Sequence, residues 1–173
     1  MITVRTANAA DAALVADLSR ETFYESFAQQ NTPENMAKFM NEQFTREQLM
    51  QEVMTPGNIF LLAYDGEQAV GYARLRENNK PPELGNTSTI EIARIYARTS
   101  VIGKGVGRAL MEACMAIAAE KKVRTVWLGV WEHNQRAIDF YTRWGFTRFD
   151  THVFQLGDDP QTDWLMKKEL TDK

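Results

Sequence analysis

Ile95-Tyr96-Ala97-Arg98-Thr99-Ser100-Val101-Ile102-Gly103-Lys104-Gly105-Val106-Gly107-Arg108-Ala109-Leu110 is the stretch on which the fold turns. The apolar run at 90–97 reads as a strand, and Leu110, Met111, Cys114, Ile117 and Ala118 recur at the spacing of one helix face. Between them, glycines at 103, 105 and 107 leave the main chain unobstructed, so its N–H groups can converge on an anion. The helix that follows adds its positive end. Strand, glycine turn and helix in this order make a phosphate or pyrophosphate site. Two better-known phosphate loops do not fit. A nucleoside-triphosphate loop needs Ser or Thr after its Gly-Lys pair, and Lys104 is followed by Gly105. The dinucleotide fingerprint would set its last glycine on Arg108 or Leu110.

Downstream of this turn, 123–130 reads as a buried strand and 134–144 as a short helix stopped by Gly145. Strands at 146–156 and 163–170 enclose the turn Gly157-Asp158-Asp159-Pro160. Upstream, Ile2 and Val4 alternate with polar residues in an opening strand, and Asn8 with Asp11 signals a helix start. Leu14, Val15, Leu18 and Thr22 form that helix's buried stripe. Thr32-Pro33 and the pair Thr45 and Gln48 cap two further helices. A hairpin of strands at 59–64 and 69–76 turns at Asp65-Gly66, and the polar segment 77–89 reads as a mobile loop. Strands alternate with helices in the second half and run in series elsewhere, which predicts an α/β fold: a mixed sheet with helices on both faces.

The composition narrows the function. A chain of 173 residues, 44% hydrophobic and 25% charged, suits one domain over 1–173. A net charge of −3 and a pI near 5.5 argue against nucleic acid and permit a cationic small molecule. The lone Cys114 excludes an internal disulfide, and with only His133 and His152 beside it no metal-site cluster is expected. No apolar run approaches the ~20 residues that cross a bilayer, and 1–6 hold no apolar signal core. The expectation is a cytoplasmic protein with no membrane partner.

The segments Ile95-Tyr96-Ala97 and Gly103-Lys104-Gly105-Val106-Gly107-Arg108-Ala109-Leu110 resemble the acetyl-CoA segment of the GNAT N-acetyltransferases. A second motif, Asn134-Gln135-Arg136-Ala137-Ile138-Asp139-Phe140-Tyr141 closing on Trp144-Gly145-Phe146, is similar to that superfamily's downstream cofactor and catalytic helix. The likeness extends over the whole chain. Thr22-Phe23-Tyr24-Glu25-Ser26-Phe27, Thr32-Pro33-Glu34-Asn35-Met36 and 154–168 look like the bacterial PaiA-type spermidine/spermine acetyltransferases. One departure is Ile102, where the superfamily often has Gln or Arg.

This resemblance implies a single-domain GNAT fold with a splayed central sheet, acetyl-CoA as cosubstrate, and acetyl transfer to a primary amine by direct attack in a ternary complex. The implied acceptor is a polyamine or small cationic amine. The rivals are a peptide or protein amino group, and a catalytically idle acyl-CoA-binding regulator. Ile95, Tyr96 and Ala97 would pair with the pantetheine arm as with an added strand. Gly103, Lys104, Gly105, Val106, Gly107 and Arg108 would hold the pyrophosphate, though Lys104, Arg108 and Arg98 read equally as solvated charges. Asn134 serves the cofactor or merely caps its helix. Tyr141 is the expected general acid for the departing thiolate. Glu91, the carboxylate of the strand leading into the motif, is the candidate general base, directly or through water, or else a salt-bridged strand residue. A backbone N–H near Tyr96 would meet the oxyanion. Tyr24, Glu25 and Phe27 form a candidate acceptor wall, with packing as the alternative. Cys114, on the apolar stripe, reads as a core thiol. Exposed end strands in such sheets leave a homodimer open.

Overall fold

The computed structural model describes residues 1–170. Its strands are β1 (Ile2–Thr6), β2 (Asn58–Asp65), β3 (Gln68–Arg76), β4 (Thr89–Ala97), β5 (Thr125–Trp131), β6 (Thr147–Leu156) and β7 (Asp159–Glu169). The helices are α1 (Ala12–Phe27), α2 (Pro33–Glu42), α3 (Arg46–Met54), α4 (Val106–Glu120) and α5 (Gln135–Arg143). The caps lie where the side chains predict them. Thr32 accepts from the Asn35 N–H at 3.1 Å, and Thr45 with Gln48 forms both halves of a capping box. The Asn8–Asp11 box opens a short 3-10 turn that leads into α1.

The strands form one mixed sheet in the order β1-β2-β3-β4-β5-β7-β6, in which only β4 and β5 run parallel. The apolar stripes of α4 and α5 cover one face, burying Leu110, Met111, Cys114, Ile138 and Tyr141 against Ile90, Ile92, Val126 and Leu128. Helices α1 to α3 cover the other, with Leu18 and Val15 over Phe60, Leu62 and Tyr72, and an aromatic nest of Phe23, Phe27, Phe39 and Phe44.

The sheet splits in the middle. β4 and β5 pair only from Thr89↔Thr125 to Glu91↔Trp127, after which β4 continues with β3 to Ala97↔Gly71 and β5 with β7 to Trp131↔Asp163. A bulge sits where the pairing ends: Arg74 faces Arg94 while Leu75 faces Ile92, which leaves Ala93 as the extra residue. Such a bulge bends the strand and sharpens its twist. It also governs facing. Register partners share a sheet face, so Tyr96, Arg94 and Glu91 lie on the side of Tyr72, Arg74 and Arg76. Simple alternation would have turned Glu91 away from the other two.

Two expectations need correcting. The last hairpin is tighter than the turn residues suggest, since β7 begins at Asp159 and takes in Pro160. Proline is tolerated there because pairing with β5 starts only at Asp163, leaving β6 as the sole neighbour. The segment 77–89 is also not featureless: a 3-10 turn at Pro82–Leu84 packs Leu84 against Trp127 and Leu165.

Candidate active site

The split opens a cleft of about 1150 Å³ that runs from the glycine turn and α5, past the β4 edge, to Phe27, Phe154 and Gln161. At the first end the main chain does the work. Gly103 and Gly105 have φ of +87° and +91°, a region that strains other residues, and a Cβ at either would meet nothing within 4 Å. Backbone conformation, not crowding, selects glycine at both. Gly105 caps α4, whose first helical bond is Ala109 N–H to Gly105 O at 3.0 Å. The N–H groups of Gly105, Val106, Gly107 and Arg108 therefore have no helical acceptor and face outward at the positive helix end.

The β4 edge extends this row of donors. Arg98 N–H donates to Val70 O on the β3 side at 2.8 Å. Successive N–H groups of a strand point to opposite edges, so those of Ala97 and Ile95 point into the split, where β5 no longer pairs with them.

Tyr141 stands on α5 between these donors and the far end of the cleft; it is 7% exposed and lines the gap. Burial, and secondarily Cys114, raises its phenol well above the ordinary value, so it keeps its proton through the neutral range. The Tyr96 phenol, raised mainly by burial and next by Tyr72 and Tyr141, is likewise protonated. Cys114 is fully buried and pushed up to about 12 by burial, which fits a packed thiol and not a nucleophile.

Glu91 also lines the cleft and is 6% exposed. Its Oε1 accepts from Arg76 Nε at 2.7 Å and from Asn79 Nδ2 at 2.9 Å, so it is both a cleft residue and a salt-bridged one. Beside it, Glu52 takes a two-pronged contact from Arg94 at 2.7 and 3.0 Å and pairs with Arg74 at 3.2 Å. Arg94 lies over the Phe44 ring, 4.9 Å from its centroid. Burial and the neighbouring Arg94 lower the Arg74 guanidinium to about 10.

The remaining sequence candidates divide. Phe27 and Glu25 line the cleft, and a Glu25 carboxylate oxygen accepts from the Thr99 N–H at 3.2 Å. Tyr24 is 55% exposed and outside the lining, because Phe23 and Phe27, four apart, occupy the buried face of α1. Lys104 is exposed and also outside the lining. Asn134 lines the cleft while capping α5, accepting from the Ala137 N–H at 3.3 Å. Arg98 is engaged with Glu21 and the Ala69 carbonyl, and Arg108 pairs with Glu112. Arg136 and Arg143 of α5, Trp131 and Asp163 line the cleft without having been singled out in the sequence. Helical spacing within the Asn134 motif was the one signal for the two arginines; Asp163 lay in the resembling segment 154–168 without a role, and Trp131 offered no signal.

A split α/β sheet, with bare main-chain donors on one flank and a protonated phenol in the gap, describes an N-acetyltransferase drawing on acetyl-CoA. Comparison with known proteins agrees. The chain belongs to the GNAT acetyltransferase family, whose model, described as "Acetyltransferase (GNAT) family", matches residues 15–146. It is 45% identical over 154 residues, 88% of each chain, to an uncharacterized N-acetyltransferase encoded in the pepI 3' region of Lactobacillus delbrueckii subsp. lactis. An uncharacterized N-acetyltransferase of Mycobacterium tuberculosis is 31% identical over 160 residues, 92% of this chain and 98% of that one. Among solved structures, the PaiA N-acetyltransferase of Thermoplasma acidophilum in complex with coenzyme A has the same fold, with a TM-score of 0.77, 20% identity, and coverage of 98% and 99%. Acetyl-CoA is the family's cosubstrate. The residues present fit it: positive-φ glycines with open space above them, orphan N–H groups at α4, and a strand edge without a partner among the described residues.

Proposed function

We propose that this enzyme acetylates a primary amine of a small cationic acceptor, a polyamine or its like, in the cytoplasm. Both substrates are bound together and no covalent enzyme intermediate forms. The observation that carries the reading is the split between β4 and β5, which gives the donor-rich flank and the aromatic, carboxylate-bearing flank one common gap. When bound, acetyl-CoA supplies the acetyl group as an activated thioester. The N–H groups of Gly105 to Arg108 would hold its pyrophosphate, with Gly103 shaping the turn, and those of Ile95 and Ala97 would hold the amide-bearing arm. Arg136 and Arg143 are placed to meet further phosphate charge.

An alkylammonium has a pKa near 10.4, so a proton must leave before its nitrogen can attack. Glu91 accepts it through water at Oε2, the oxygen that Arg76 and Asn79 leave free. Tyr141 would deliver its proton to the departing sulfur, and the second proton shed by the acetylated nitrogen would restore the phenol, a role favoured by burial that keeps the phenol protonated. The sequence resemblance to polyamine acetyltransferases and the negative net charge support the choice of acceptor.

Thiol release from acetyl-CoA tests this with spermidine, spermine, lysine peptides and aminoglycosides, against an acceptor-free blank. Fast release with the polyamines is expected. Release with lysine peptides alone would move the acceptor to protein amino groups, and tight acetyl-CoA binding with no release would favour a regulator.

A further inference from the structure

Across the gap from Glu91 stands a carboxylate of a different kind. Asp163 opposes Trp131 of β5 on one side and His152 of β6 on the other. Register partners share a face, so Asp163 looks the same way as Trp131 and Gly129, the side on which Tyr96 and Glu91 line the opposite bank. Gly129 is exposed to the cleft despite its place in mid-sheet, and a Cβ built there would lie 3.6 Å from Asp163 Oδ2. The carboxylate thus leans over the bare glycine. Glu91 is held by Arg76 and Asn79, whereas Asp163 has no hydrogen bond or ion pair among the described residues.

Aromatic rings stand around it. Phe27 meets Trp131 edge-on at 6.1 Å and Tyr96 edge-on at 6.2 Å, and all three line the cleft. A carboxylate without an ion-pair partner, sharing a cleft with three aromatic rings, is complementary to a cation. We infer that Asp163 is the anion against which the acceptor's ammonium docks, with Trp131, Phe27 and Tyr96 as the walls of that subsite. This rests on the amine-acceptor reading above and assigns its specificity to one side chain.

The surroundings of Asp163 agree. Burial pushes its carboxyl up to about 6; His152 opposes that shift and Glu132 adds to it, while the charge of Asp163 in turn raises Tyr96 across the gap. Glu91, Arg94, Arg74 and Arg76 are the charged groups of the far bank, and all are paired: Arg76 with Glu91, and Arg74 and Arg94 with Glu52. His152 acts on Asp163 without forming an ion pair with it among the described residues, and an arriving ammonium supplies that direct counter-charge. Below about pH 6 the carboxyl takes up a proton and the cation loses its partner.

The test is Asp163→Asn, which keeps the shape and removes the charge. With spermidine as acceptor, KM should rise about 10–100-fold while kcat stays within about threefold. The wild-type KM should climb as pH falls through 6 and the variant's should not, and the acetyl-CoA affinity of the two should match. A KM unchanged by the substitution, or the same pH rise in both, overturns the inference. Tetramethylammonium, which has no proton to lose, separates this failure from a failure of the proposed reaction. It should bind the wild type, as read by calorimetry, and not Asp163→Asn, even if no amine is acetylated. Equal binding by both proteins, or binding by neither, counts against Asp163.

Discussion

The two ends of the cleft are built from different materials. At the glycine turn the proposed recognising groups belong to the main chain: N–H groups at the start of α4 and along the β4 edge, left open because Gly103 and Gly105 adopt positive φ and because β5 pairs with β4 only as far as Glu91. At the far end the proposed recognising groups belong to side chains, namely Tyr141, Glu91, Asp163 and the rings of Phe27, Tyr96 and Trp131, all of which line the cleft. A surface made of backbone can serve every member of a fold, while one made of side chains can be rewritten residue by residue. A common cosubstrate and variable acceptors follow directly from that division.

Substitutions can break or sharpen this contrast. The largest effect should come from Tyr141→Phe, which is expected to lower kcat about 10²–10⁴-fold, the usual worth of a positioned proton donor, while acetyl-CoA titration shows unchanged affinity. A smaller kcat loss, or a parallel loss of affinity, would blur the two ends. Next is Glu52→Ala. It leaves the buried Arg74 and the half-buried Arg94 without their carboxylate, and should cost about 2–4 kcal/mol of stability by denaturant melting, discounted from a fully buried pair for the partly exposed Glu52.

The glycine end gives a paired test. Gly105→Ala forces a side chain onto φ of +91° and should cost roughly 1–2 kcal/mol together with acetyl-CoA affinity. Lys104→Ala, one residue away but outside the lining, should change that affinity less than about twofold. A large effect at Lys104 would mean that side chains share in this end after all.

The smallest effect has the opposite sign. Asp163 has a folded-state value of about 6, above the usual 3.9 of an unfolded aspartate, so its stabilising contribution is full below about pH 4 and lost as pH rises through 6. Asp163→Asn should therefore be more stable than the wild type at pH 8, by on the order of 1 kcal/mol after discounting for its solvent-facing side, and the gain should vanish near pH 4. A docking group that costs stability where it works marks function placed above fold.

The same division explains what could be read from the sequence. The glycine turn was legible because positive φ selects glycine at fixed positions, and the caps at Thr32 and Thr45 because a hydroxyl or amide must sit at a set distance from the first helical N–H groups. The candidates at 95–97, 103–108, 134 and 141 all came from these local rules and a motif resemblance. Asp163 lay inside the resembling segment 154–168, but neither a local rule nor the resemblance gave it a role. It follows a turn-like Asp-Asp-Pro segment, and its neighbours Trp131, Gly129 and Tyr96 are brought to it only by sheet order and the split. Tyr24 and Phe27 look alike as acceptor residues in the sequence, and only the packing of α1 separates the exposed ring from the buried one.

A strand ordinarily couples its course to its parity: where it goes decides which residues look left and which look right. The one supernumerary residue of β4, Ala93, uncouples them, letting the strand veer from β5 without rotating Glu91 out of the company of Arg94 and Tyr96. A chain shorter by that alanine would keep all three on one side and lose only the bend. The width of the slot and the identity of its lining are thereby independent variables, and a family can tune one without disturbing the other.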